Sequence, residues 1–253
     1  MATPGQISVR SLMERMAGRR RHGGVAQAVT GLDGLTERLS SHKVTRLALS
    51  FLAANDDVHL KDLALEEMTD DRRAAYDGHR FWNFGSDSFL GLDRHPRVHE
   101  AIRAALPEWG SHNGASRAFS SPLLTDEAEA KLARWLGVAD TFIFPSVTLA
   151  NVGILPAIAG SGDLLVVDRE SHDSVHQGAR LAAAGGARLE QVASPDPRTV
   201  SDLIRRVAAR GTVMAIDGVY SMSGRTPPLV ELDATVRGLG GTLYVDEIGR
   251  AHV

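Results

Sequence analysis

Val213-Met214-Ala215-Ile216-Asp217-Gly218-Val219-Tyr220-Ser221-Met222 and Thr242-Leu243-Tyr244-Val245-Asp246 are two short apolar runs that each end on an acid. The first passes directly into a glycine turn. Runs of this length and makeup fit strands buried on both faces, as in a parallel sheet covered by helices. Open parallel sheets place their chemistry at the carboxyl ends of strands, where the connecting loops diverge. Asp217 and Asp246 therefore stand where a ligand is met.

The same rhythm recurs upstream. Further β-prone runs occur at Thr141–Phe144, Leu164–Val167 and Arg188–Val192. Segments of helical spacing lie at Leu123–Leu136, Thr148–Ala159, Ser174–Ala184, Thr199–Ala209 and Leu229–Leu239. Strands alternating with helical stretches of roughly ten residues or more read as βαβ units. The expected fold class is α/β, with a three-layer parallel-sheet domain over residues 81–246. Residues 1–80 read differently. Leu35–Leu52 and Leu60–Tyr76 carry apolar residues at helical spacing and no recognisable chemistry, so a helical N-terminal extension is expected there.

Composition bounds the function. The chain has 253 residues, 43% of them hydrophobic, enough for one large core or a domain with an extension. A net charge of −3 gives no field that would gather nucleic acid. The basic cluster Arg19-Arg20-Arg21-His22 reads as a solvated tail. The absence of cysteine excludes disulfides, thiolate metal sites and thiol nucleophiles. No apolar run approaches the ~20 residues of a membrane helix, and no signal-like apolar core follows the first residues, so a cytoplasmic protein is expected.

The segment from Asp217 to Gly224, followed by Leu243-Tyr244-Val245-Asp246, resembles the large domain of fold type I pyridoxal-phosphate enzymes. Within that class it is similar to the α-oxoamine synthase family. Other segments carry the same likeness. Asn83–Leu92, followed by His95-Pro96, is similar to the family's Phe-x-Ser-Asn-Asp-Tyr-Leu-Gly-Leu. Asp87 stands there in place of an asparagine that helps hold the substrate carboxylate. An ionised aspartate would repel that group unless protonated or turned away. Gly114-Ala115-Ser116-Arg117 and the helix ending at Leu136-Gly137 match a small-residue loop and its helix.

Phe144–Asn151 resembles the family's turn into a helix whose free N–H groups receive the cofactor phosphate. Ser146 and Asn151 match, while Val147 replaces a glycine and Thr148 an aromatic residue. An ordinary helix cap made by Ser146 is the plain alternative. Val167-Asp168-Arg169-Glu170-Ser171-His172-Asp173-Ser174 is similar to the segment whose histidine lies flat over the pyridine ring. A rival pairing of His172 with His176 as metal ligands lacks a matching carboxylate or Glu-x-x-His context. By the resemblance, Asp217 and Ser221 lie beside the ring. Asp246 pairs with the pyridine nitrogen and makes the ring a better electron sink.

The resemblance thus implies a pyridoxal 5'-phosphate-dependent acyltransferase that condenses an amino acid with an acyl thioester, on coenzyme A or a carrier protein, with loss of CO₂. His172 and Asp246 would be catalytic. Val147, Thr148, His172, Asp217, Ser221 and Asp246 would hold the cofactor, and Asp87 would meet substrate. No metal is expected, and the intact protein should be a homodimer. The family's cofactor-binding lysine follows the second acid, whereas Lys43, Lys61 and Lys131 all precede the cofactor strands. An incomplete, inactive large domain is therefore expected. An aminotransferase or aldolase of the same fold type, and a non-catalytic partner subunit, remain alternatives. Residues 247–253 also translate GAG ATC GGA AGA GCA CAC GTC, which after its first base matches the start of a common sequencing adapter. They are expected to be a tail foreign to the native frame.

Overall fold

The computed structural model describes residues 65–247 apart from 70–71, 77, 87, 89 and 113–115, together with Arg38, Ser41, His42, Thr45, Arg46 and Ser50. The chain divides into two compact units, Met1–Ser111 and His112–Val253. Asp87 and the tail from Ile248 lie outside the described residues. So does most of Leu35–Leu52, of which Arg38, Ser41, Thr45, Arg46 and Ser50 are helical.

In the first unit the helix expected over Leu60–Tyr76 is corrected. Glu67–Met68 (β1), Arg73–Tyr76 (β2) and His79–Trp82 (β3) form an antiparallel sheet in that order. Local turns decide this. Arg72 takes a left-handed φ of 65°, its N–H donating to the Thr69 carbonyl at 3.2 Å, and Gly78 reverses the chain again at φ 72°. Such angles interrupt a right-handed helix, so the apolar spacing is overruled by chain reversal. Cross-strand pairs then hold the sheet: the Arg73 guanidinium lies 4.8 Å from the Trp82 ring, and Arg80 reaches Glu67 at 3.0 Å. A 3₁₀ turn at Leu92–Arg94 leads to α1 (Pro96–Trp109), whose first turn is capped by His95 Nδ1 accepting from the Arg97 N–H.

The second unit holds α2 (Leu123–Leu136) and α3 (Val147–Ile158), then β4 (Leu164–Asp168), α4 (Asp173–Ala184), β5 (Arg188–Val192), α5 (Pro197–Val207), β6 (Thr212–Asp217), α6 (Leu229–Gly238) and β7 (Thr242–Asp246). The strands pair in parallel in the order β5-β4-β6-β7. Alternation along them supplies two cores. Leu165, Val167, Val213 and Ala215 face α3 and α4, packing on Leu155, Val175, Ala179 and Ala182. Leu164, Val166, Met214 and Ile216 face α5 and α6, packing on Val200, Leu203, Ile204, Leu232 and Val236. β4 and β6 are buried at every position. This explains why they read as continuous apolar runs. Chemistry at helix starts agrees: Asp196 accepts from the Arg198 and Thr199 N–H groups ahead of α5, with Pro197 at its first position.

The chain leaves β4 toward β5 on one side and leaves β6 toward β7 on the other, so the loops after β4 and β6 diverge. That is the topological switch point at which open sheets bind ligands. Thr141–Phe144, expected as a strand, is not one. Among the described residues no strand pairs with it. Side chains take its backbone groups instead: the Ile143 N–H donates to Glu129 at 2.6 Å, and Arg117 donates to the Ile143 carbonyl at 3.0 Å. Among the described residues no helix is long and apolar enough to cross a membrane.

α3 and α4 approach backbone to backbone at Gly178, where an added Cβ would lie 2.3 Å from the Asn151 carbonyl oxygen. Gly178→Ala should therefore force the two helices apart and lower stability by about 1–3 kcal/mol. Gly153→Ala, on the exposed side of α3 with nothing within 4 Å of its new Cβ, should raise stability by about 0.5–1 kcal/mol. Chemical denaturation of both variants checks the contrast.

Candidate active site

The residues singled out in the sequence meet at the carboxyl ends of β4, β6 and β7. Asp217 and Asp246 are register partners on adjacent strands. His172 is the N-cap of α4, just beyond β4, and its backbone N–H donates to both Asp217 oxygens at 3.0 and 3.2 Å. That contact bridges the switch point. The His172 ring is exposed, as are Val147 and Thr148 at the start of α3. Ser146 caps that helix by accepting from the Leu149 N–H at 3.2 Å, and the N–H groups of Val147 and Thr148 have no acceptor within the helix.

A hydrogen-bonded chain links the two ends of the site. Asn151 Nδ2 donates to Asp246 Oδ2 at 2.8 Å and to Ser174 Oγ at 2.9 Å. Ser174 Oγ lies 2.6 Å from His172 Nδ1, and the Tyr244 hydroxyl donates to Asn151 Oδ1 at 2.6 Å. Asp246 Oδ1 has no hydrogen-bond partner among the described residues. Sequence reasoning matched Asn151 to a motif but gave it no role. It missed Ser174 and Tyr244 as members of this chain, because pairings such as Asn151–Asp246, 95 residues apart, leave no periodic signal.

The sequence did not foresee a second network. The buried Tyr220 hydroxyl donates to Asp168, which ends β4, and burial first, then that carboxylate, pushes its pKa up. Glu170 accepts from the Ser223 hydroxyl at 2.8 Å and pairs with Arg225 at 2.6 Å; both partners hold its carboxyl below the usual range. Together these contacts tie the loop after β6 to the loop after β4. Ser221 sits exposed in the tied loop, and its hydroxyl makes no hydrogen bond among the described residues. His176 Nδ1 lies 3.5 Å from the Gln191 side chain, and among the described residues no cluster of three or more His, Cys, Asp or Glu is placed to hold an ion.

Asp217 is 4% exposed, and burial pushes its pKa up, assisted by the charge of Asp246 and opposed by the His172 N–H. A carboxyl whose folded pKa is raised takes up its proton more readily folded than unfolded. Its contribution to stability is full below the unfolded pKa and is lost as pH rises through the folded one. Asp217→Asn should therefore raise the melting temperature at neutral pH, and the gain should shrink as pH falls into the carboxylate range. Melting curves against pH read this directly.

No protein-family profile matches the chain. It is 38% identical over 175 residues to the 8-amino-7-oxononanoate synthase of Maricaulis maris, covering 68% of this chain and 44% of that protein. It is 33% identical over 201 residues to that of Methylococcus capsulatus, covering 79% and 51%. Among solved structures, the Sphingomonas wittichii serine palmitoyltransferase superposes with a TM-score of 0.74 at 26% identity, over 83% of this chain and 52% of that one. The chain thus spans about half the length of the relatives it matches. In sequence and in the arrangement of its sheet, the chain belongs to the α-oxoamine synthase family of fold type I enzymes.

Proposed function

We propose that the cleft between the start of α3, His172, Asp217 and Asp246 holds pyridoxal 5'-phosphate, and that the protein containing this chain condenses an amino acid with an acyl thioester and releases CO₂. The observation that carries this reading is the pair of register-matched acids at the switch point, flanked by an exposed imidazole and an open helix N-terminus. The names of the relatives support the acyl-transferring class.

The residues present fit such a group. Val147 and Thr148 offer unpaired N–H groups and a hydroxyl to a phosphate, with the helix dipole in favour. Asp246 keeps one carboxylate oxygen free to hold a proton on a pyridine nitrogen, while Asn151 fixes the other. His172 offers a flat exposed face against a planar ring. Asp217 anchors the backbone beneath that histidine, and Ser221 would supply a hydroxyl at the ring edge. When bound, pyridoxal phosphate supplies a conjugated ring that takes up negative charge left at a substrate α-carbon. Asp246 favours that uptake by keeping the ring nitrogen protonated. We assign to Asp87 contact with the substrate, to the intact protein a homodimeric state, and to the cytoplasm its place of action.

Equilibrium titration of the 253-residue chain tests the reading. Pyridoxal phosphate should bind weakly and reversibly, since each contact contributes about 1–3 kcal/mol. Borohydride should fix none of it to a lysine. Pyridoxal, lacking the phosphate, should bind at least ~10-fold more weakly. Asp246→Ala should weaken pyridoxal phosphate binding by a similar factor. Equal affinity for both ligands in the native chain, unchanged by Asp246→Ala, would remove the proposal.

A further inference from the structure

Holding a cofactor does not by itself explain why Asn151, 1% exposed and one turn into α3, sits between Asp246 and Ser174. An amide has two donors and one acceptor oxygen, and the three neighbours of Asn151 constrain all of them. An ionised Asp246 can only accept, so the amide must turn Nδ2 toward it. Oδ1 then faces the Tyr244 hydroxyl, which donates at 2.6 Å. The second Nδ2 hydrogen goes to Ser174 Oγ at 2.9 Å.

The consequence passes one residue further. Ser174 Oγ accepts from Asn151, so its own proton is free to be given away. Its nearest partner is His172 Nδ1, at 2.6 Å. The backbone N–H of Ser174 also points at that nitrogen, at 3.2 Å. Two donors converge on His172 Nδ1, which must therefore carry a lone pair and no proton. The ring proton is left on Nε2.

We propose that Asn151, acting through Ser174, is a positioning residue: anchored by Asp246, it sets the direction of each hydrogen bond along the chain and holds His172 in the Nε2–H tautomer. His172 then meets a ligand as a neutral flat face whose outer nitrogen donates and whose inner nitrogen is already engaged. For its consequence at a bound ring the inference rests on the cofactor reading above. The tautomer itself is a property of the chain without ligand.

Selective ¹⁵N-histidine labelling of the full chain, without ligand, reads both ring nitrogens of His172, with His172→Gln assigning the signals. One pyrrole-like Nε2 and one pyridine-like Nδ1 are expected, with a single tautomer populated. Asn151→Leu, which keeps the branched outline of the side chain and removes the amide's hydrogen bonds, should replace that pattern by a mixture of tautomers. Asp246→Asn, equal in shape but uncharged, should mix them in part. A native chain protonated on Nδ1, or a native pattern surviving in both variants, overturns the proposal. Should Asn151→Leu fail to melt cooperatively, the Asp246→Asn spectrum decides alone. Titrating the same samples with pyridoxal phosphate separates the two ideas. Binding without the single tautomer rejects only this inference, and the single tautomer without binding rejects only the cofactor reading.

Discussion

A carboxylate with almost no solvent must find its donors inside the protein, and Asp217 finds one in the backbone N–H of His172, 45 residues earlier. That single contact needs two strands to end level with each other. β4 and β6 pair from Leu164↔Thr212 through Val167↔Ala215, which brings the loop leaving β4 back over the end of β6. A slip of one residue would send Leu165 and Val167 to the opposite face and strip both cores at once. The registry that fills the cores is therefore the one that aims the histidine.

Close approach of α3 and α4 performs the same service for the other end of the site. Gly178 has no side chain to hold the helices apart, so Asn151 on α3 comes within reach of Ser174 on α4. Tyr244, two residues before Asp246 on β7, closes the amide from the third side. Three elements from distant parts of the chain thus converge on one buried side chain. Its polar atoms are all engaged, which is the condition under which a buried amide costs little.

Much of this was legible in the sequence, for a physical reason. Strands buried on both faces must be apolar throughout, and helices covering them must repeat their apolar residues every three or four positions, so residues 147–246 announce their elements. The acids at 217 and 246 and the histidine at 172 were legible because short motifs hold them at strand ends. The antiparallel strands at 67–76 were misread because Ala74, Ala75 and their neighbours suit a helix as well. Only the left-handed angles at Arg72 and Gly78 decide the matter, and an arginine carries no such mark. Thr141–Phe144 has strand propensity, yet propensity without a ladder partner makes no strand. Asn151, Tyr220 and Asp168 had no functional signal because their partners are set by tertiary packing.

The pairing of Asp217 with Asp246 on neighbouring strands has an electrostatic meaning. After burial, the charge of Asp246 is one of the causes that push the Asp217 pKa up. Among the described residues neither acid has an ion-pair partner. Asp217 is satisfied by a backbone N–H and Asp246 by a neutral amide, so both donors orient a carboxylate without cancelling its charge. A site built in this way keeps its negative potential for an arriving group. A flat ligand with a protonated ring nitrogen and an anionic end meets complementary charge at both ends: acids at one, and the unpaired N–H groups of α3 at the other. Neutral His172 between them adds a face without adding a charge, which leaves the polarity of the cleft to Asp246 and the helix.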